Sequence, residues 1–277
     1  MDLISEIIRD DPEVIDAYFT LGNTYFKWRK LPEALESFEH VLDRKPDDAF
    51  TVINIANCHI QMDKLEDAKR FMLSRLDMLS PDSQVFFILG NINNFLKEYD
   101  DAIVNYDKCI ALNSSSASAY SALGGVYVIR GELDRAEANL RKAMELNPQL
   151  INVNYNLAQL QEARGDNAGA VRSYLQELEN IPHNFRASFN LSRLYRQSGR
   201  VDEERAMLEK TIESNPLFPL SYFFLARIHL NRGEKYQEAV DLVLKGLERK
   251  PEPGDLPLGY FLLADLYNRL GDQARSA

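Results

Sequence analysis

The chain has 277 residues, a formal net charge of −10 and two cysteines. The acidic balance opposes broad neutralisation of phosphates and sets nucleic acid aside as the main partner. The longest apolar stretches, such as VFFIL and YFFLA, fall far short of the ~18 residues of a membrane span, so the sequence reads as a soluble protein.

Its start, MDLISEIIRDDPE, is acidic where a secretory signal is basic and then apolar. That favours the cytoplasm unless a signal lies outside this sequence. Residues 1–14 read as one amphipathic helix, the second member of a pair whose first member is missing. From residue 15 the pattern recurs every 34 residues: an apolar-small pair stands at Leu21-Gly22, Ile55-Ala56, Leu89-Gly90, Leu123-Gly124, Leu157-Ala158, Leu191-Ser192 and Leu225-Ala226. Two more tracks run in phase, Ala34, Ala68, Ala102, Ala136, Ala170 and Ala239, then Pro12, Pro46, Pro81, Pro148, Pro182, Pro216 and Pro251.

Each unit carries two amphipathic helical patterns joined by a short polar turn such as WRKLPE, MDKLED, IRGELD or ARGDNA, and closes near a proline that stops the second helix. The spacing predicts units over 15–48, 49–82, 83–116, 117–150, 151–184, 185–218 and 219–256, with a first helix alone over 257–277. The small residues on both helices let the two backbones approach closely. One pair cannot bury its apolar faces alone, so the pairs must stack into a single array.

These residues resemble the tetratricopeptide repeat family, whose pattern is aromatic-x2-Leu-Gly-x2-Tyr, then Ala-x3-Phe, then Pro. The first unit reads Tyr18, Leu21, Gly22, Tyr25, Ala34, Phe38, Pro46, and the fourth reads Tyr120, Leu123, Gly124, Tyr127, Ala136, Leu140, Pro148. The resemblance implies an all-α fold, a right-handed superhelical solenoid of antiparallel helix pairs, whose first helices line a concave surface. It further implies a non-enzymatic scaffold for protein-protein interaction that binds an extended peptide or a partner helix in that groove. The alternative is a regulatory or substrate-recruiting arm belonging to a larger enzyme.

Several places depart from the pattern. Glu204 replaces the close-packing Ala in the sixth unit and is expected to snorkel outward or widen the crossing, so that Glu204→Ala should stabilise provided the acid has no buried partner. Pro81 sits one residue late, and extra residues in RGEKYQEA and KPEPGDLP predict a loosened joint near 251–257. On the last helix Leu262, Leu263, Leu266, Tyr267 and Leu270 lack most of a mate, which predicts an exposed apolar face and end-to-end self-association.

No convergent set of titratable groups marks a catalytic site. The four histidines are scattered, no phosphate loop, nucleophile elbow or HExxH motif occurs, and Cys58 and Cys109 read as buried thiols. Neither a cofactor nor a metal is expected.

Counted from the start of each unit, the resemblance places positions 2, 5, 6, 9, 12 and 13 of the first helix in the groove. Position 9 holds Asn23, Asn57 and Asn91, and position 6 holds Asn54, Asn156 and Asn190. A carboxamide donates to and accepts from a peptide main chain at once, so these six are candidate peptide-binding residues. Bridging between neighbouring helices is the structural alternative. Position 5 adds Phe19, Phe87, Tyr155, Phe189 and Phe223, either anchors for apolar side chains or members of the interhelix core. Arg186, Arg193, Arg196 and Arg227 also fall on inward positions and suit an acidic or carboxylate-ended partner, unless neighbours such as Glu162 engage them. Co-chaperone members of the family clamp a terminal carboxylate with Lys and Asn on three consecutive repeats. No three consecutive units here supply that set, so chaperone-tail binding does not carry over.

Overall fold

The computed structural model describes residues 2–11 and 13–276, which form sixteen α-helices and no strand among the described residues. They divide into two compact units, Met1–Leu150 and Ile151–Ala277.

In the first unit α1 (Asp2–Asp10) precedes four helix pairs: α2 (Ile15–Lys27) with α3 (Leu31–Arg44), α4 (Ala49–Gln61) with α5 (Leu65–Arg75), α6 (Ser83–Phe95) with α7 (Tyr99–Leu112), and α8 (Ala117–Arg130) with α9 (Leu133–Leu146). The second unit holds α10 (Val153–Ala163) with α11 (Asn167–Asn180), α12 (Phe185–Gln197) with α13 (Val201–Ser214), α14 (Pro219–Arg232) with α15 (Tyr236–Glu248), and α16 (Leu256–Ser276). Within each unit, pairs stack on the next pair, as an all-α solenoid requires.

Local chemistry sets the boundaries. Asp48 caps α4 by accepting from the Thr51 amide at 2.8 Å, and Asp82 caps α6 through the amides of Gln84 and Val85. Between the two helices of every pair a residue adopts a left-handed conformation in register, Arg29, Asp63, Lys97, Gly131, Gly165, Gly199 and Gly233, with φ between 57° and 79°, and the last turn adds Lys235 at 54°. In four pairs this residue is glycine, and nothing lies within 4 Å of a β-carbon placed on Gly131, Gly165 or Gly199. Backbone conformation, not space, therefore selects glycine there. The late Pro81 is accommodated because α5 stops at Arg75 and a short 3-10 turn, Leu76–Met78, takes up the slack.

The small residue of the first helix faces the large residue of the second. A β-carbon on Gly22 would meet the Phe38 ring at 2.6 Å, one on Gly90 the Tyr106 ring at 2.5 Å, and one on Gly124 the Leu140 side chain at 2.7 Å. Phe38, Tyr106 and Leu140 are fully buried, as are Ala34, Ala68, Ala102, Ala136, Ala170 and Ala239.

Two expectations are corrected here. The connection at 249–255 is long, yet Leu262 and Leu266 on α16 are buried in one core with Phe223, Ala226, Ala239 and Val243 from α14 and α15. Shared core packing replaces the loosened joint expected near 251–257. Among the described residues the exposed large apolar side chains of α16 are Tyr260, Phe261 and Tyr267, not Leu262 and Leu266.

Candidate peptide-docking face

The aromatic residues expected on the groove are mostly half-buried, and Phe19, Phe87 and Tyr155 each pack on a ring from the second helix of their own pair. Phe19 meets Phe38 edge-on with centroids 5.9 Å apart, Phe87 meets Tyr106 at 6.0 Å, and Tyr155 meets Tyr174 at 5.8 Å. Phe189 lies between Phe218 at 4.8 Å and Phe224 at 5.8 Å. Phe223 is the exception and a correction. It is fully buried, and its ring fills space that β-carbons on Gly246 and Gly259 would occupy, so it is a core residue with no surface to offer a ligand. Its neighbour Phe224 takes the half-exposed position instead.

The asparagines divide by what their amides already hold. Asn54 on α4 donates to Asn23 on α2 at 3.4 Å, a long bridge between neighbouring first helices. Asn91 accepts from the buried Tyr106 hydroxyl at 2.9 Å. Asn190 donates to the hydroxyls of Tyr155 at 3.3 Å and Tyr174 at 3.1 Å. Asn57 is half-buried with no side-chain hydrogen bond among the described residues, and Asn156 is half-buried on α10. Burial raises the pKa of the Tyr106 and Tyr174 hydroxyls well above the usual value and that of Tyr155 above it, so all three stay neutral, Tyr106 and Tyr174 as donors and Tyr155 as an acceptor.

The arginines also separate. Arg193 on α12 is engaged by Glu162 of α10, whose other oxygen accepts from Tyr174 at 2.6 Å. Arg186 is exposed and lies over the Phe185 ring at 5.6 Å. Arg196 and Arg227 converge on one ring: their guanidinium carbons lie 4.3 Å and 4.7 Å from the centroid of Phe224. Both approach Glu204, at 4.0 Å and 3.8 Å. Glu204 is therefore neither snorkelled nor solvated. Only 4% of it is exposed, and burial raises its pKa against the lowering influence of the two arginines.

Counting positions along the repeat did not single out Glu204 or Phe224 as members of this cluster. The available signal was the coincidence of an acid in the alanine track with two arginines, Arg196 in the same unit and Arg227 in the next. In the first unit the exposed large apolar side chains include Trp28, Phe50, Phe95 and Ile129, none on position 5. Among the described residues no group of three or more His, Cys, Asp or Glu could hold a metal ion, and no helix is long and apolar enough to cross a membrane.

Stacked helix pairs with an amide- and aromatic-bearing first-helix face define the chain as a helical-repeat protein. Profiles of the tetratricopeptide repeat match residues 15–48, 83–116, 117–150 and 155–216. The chain belongs to the tetratricopeptide repeat family. It is similar to Hsp70-Hsp90 organizing protein 3 of Arabidopsis thaliana, 26% identical over 98 residues, which are 35% of this chain and 18% of that protein. The match thus spans less than a fifth of that relative's length. Among solved structures, the chain resembles one from the APC/C hetero-tetramer Cut9-Hcn1, with a TM-score of 0.75 and 16% identity over 96% of this chain and 52% of that one. A tetratricopeptide repeat protein from Parabacteroides merdae gives a TM-score of 0.67 and 17% identity over 91% and 98%. At such identities the structures establish the shared fold.

Proposed function

We propose that the chain is a non-enzymatic docking scaffold that holds an extended peptide or a partner helix on the face formed by its first helices. The observation that carries this reading is the row of half-exposed amides on α2, α4 and α6, Asn23, Asn54, Asn57 and Asn91, beside the half-buried rings of Phe19 and Phe87. Amides that recur at a fixed register on successive helices match the repeating donors and acceptors of an extended main chain. The similarity to an Hsp70-Hsp90 organizing protein and to a chain from the hetero-tetramer Cut9-Hcn1 supports assembly with other proteins as the role.

The test is capture of partners by the full chain against Asn54→Ala/Asn57→Ala, followed by titration with the captured partner. A loss of at least tenfold in affinity with an unchanged melting temperature supports docking. An unchanged affinity refutes it for this face. The exposed Tyr260, Phe261 and Tyr267 on α16 extend the proposal to contacts between copies, which sedimentation over rising concentration tests. A monomer at every concentration excludes that extension.

A further inference from the structure

Resting on that docking role, the structure carries a more specific assignment. Of the four arginines on the inward positions, Arg193 is occupied by Glu162, and Arg186 stands exposed over a ring at 5.6 Å. Arg196 and Arg227 differ from both. Each side chain is 29% exposed, and neither donates a hydrogen bond among the described residues. The one acid within ion-pair distance of either among the described residues, Glu204, approaches both through one oxygen at 4.0 Å and 3.8 Å, beyond hydrogen-bond length. Two guanidinium groups thus share one carboxylate, leaving a positive charge uncompensated and the forked donors unused.

The arrangement is held in place before any ligand arrives. Both guanidinium groups lie over the Phe224 ring, at 4.3 Å and 4.7 Å from its centroid, and the buried Glu204 carboxylate attracts both from within 4.0 Å. Six other units place a fully buried Ala where Glu204 stands. A buried acid in that track weakens helix packing unless the groups it holds are needed in position. Beside the arginines lies an apolar floor, since Phe224 contacts Phe189, and Phe189 contacts Phe218.

We propose that Arg196 and Arg227, oriented by Glu204 and Phe224, form a receptor for one carboxylate of an extended partner peptide, with an adjacent apolar side chain seated on Phe189 and Phe224. One uncompensated positive charge matches a singly charged carboxylate better than a doubly charged phosphate. Glu204 is a positioning residue: it touches the arginines and not the ligand.

The test is selection of a displayed random-peptide library against the full chain, the R196Q/R227Q variant and the triple variant R196Q/E204Q/R227Q. The triple variant removes all three charges together, so no buried carboxylate is left unpaired if the double variant folds poorly. The expected result is enrichment of Asp, Glu or a free C-terminus at one register next to an apolar residue. That preference disappears in both variants, with at least a tenfold loss of affinity for a selected synthetic peptide. Glu204→Gln should keep the acid preference, since both arginines remain, but weaken binding of the acidic peptide several-fold because they lose the carboxylate that orients them, while a peptide with Gln at that register is unaffected. Enriched peptides without an acid preference, or with one that survives in the triple variant, overturn the receptor and leave the docking role standing. If no peptide is enriched by any of the proteins, the docking role itself fails. Displacement of the selected peptide by inorganic phosphate but not by acetate would overturn the carboxylate assignment in favour of a phosphate.

Discussion

The ring of Phe38 occupies the space that a β-carbon on Gly22 would need, 2.6 Å from where that atom would stand. The same relationship joins Gly90 to Tyr106, so the small residue of the first helix and the large residue of the second are one packing unit. In the second pair, where Ala56 replaces glycine, the facing side chain is the unbranched Met72, fully buried.

Gly22→Ala should therefore destabilise the first unit by ~1–3 kcal/mol through overpacking, despite the better helix propensity of alanine. Combining it with Phe38→Met should recover part of the loss, since neighbours in one packing unit are not additive. Urea unfolding of both single variants and the double variant measures this. Strictly additive effects would show that the two residues are not coupled.

The recurring left-handed residue leads to a stabilising change. Arg29, Asp63 and Lys97 hold φ of 57°, 58° and 63°, where side chains other than glycine are strained, while the four later pairs use glycine. Asp63→Gly and Lys97→Gly should each raise stability by ~0.5–1 kcal/mol, the strain relieved exceeding the entropy that glycine adds to the unfolded chain. Gly131→Ala should lower it by a similar amount. Thermal melting of the three variants gives the signs, and a destabilised Asp63→Gly would reveal a side-chain contact at that turn.

Asparagines on one face should differ in their thermodynamic roles. Asn91 accepts from the fully buried Tyr106 hydroxyl, so Asn91→Ala leaves that group without its partner and should cost ~1–2 kcal/mol. Tyr106→Phe in the same chain should return much of it. Asn57→Ala removes no intramolecular hydrogen bond among the described residues and should change stability by less than ~0.5 kcal/mol. Paired denaturation curves decide this. Equal losses at both positions would mean that Asn57 is also structural.

The helix pairs were legible because two 3.6-residue patterns recur together every 34 residues, and the small-residue and proline tracks fix which helix is which. The turn conformation was less so: glycine announces it at 131, 165, 199 and 233, whereas Arg29, Asp63 and Lys97 give no signal. The site was legible as a face and not as a set of contacts. Counting placed Phe223 on the surface, but Gly246 and Gly259 open a hole that takes in its ring, a fact that depends on residues far along the chain. Likewise four arginines shared a face in the sequence, and only the positions of Glu162 and Glu204 show that Arg193 is engaged through Glu162 while Arg196 and Arg227 share a single acid.

Glu204 reverses an expectation from the sequence, where alanine at this position looked stabilising. With both arginines within 4.0 Å, Glu204→Ala removes their shared counter-ion and should lower stability by about 1 kcal/mol. The cost stays well below the ~3–5 kcal/mol of a fully buried pair, because the arginines keep contact with water. The pH dependence has a definite sign. Burial raises the carboxyl above its ordinary value of 4.5, so between that value and the folded one the native state binds more protons than the unfolded chain. Stability contributed by this group therefore falls as pH rises through that window and is regained on acidification. Glu204→Gln cannot titrate, so the stability of the parent relative to this variant should decline as pH increases from about 4 towards neutrality. Urea midpoints of the two proteins, measured side by side across that range, test the sign. A parent that instead gains on the variant with rising pH would mean that attraction to Arg196 and Arg227 outweighs burial, and that the carboxylate is held below its ordinary pKa.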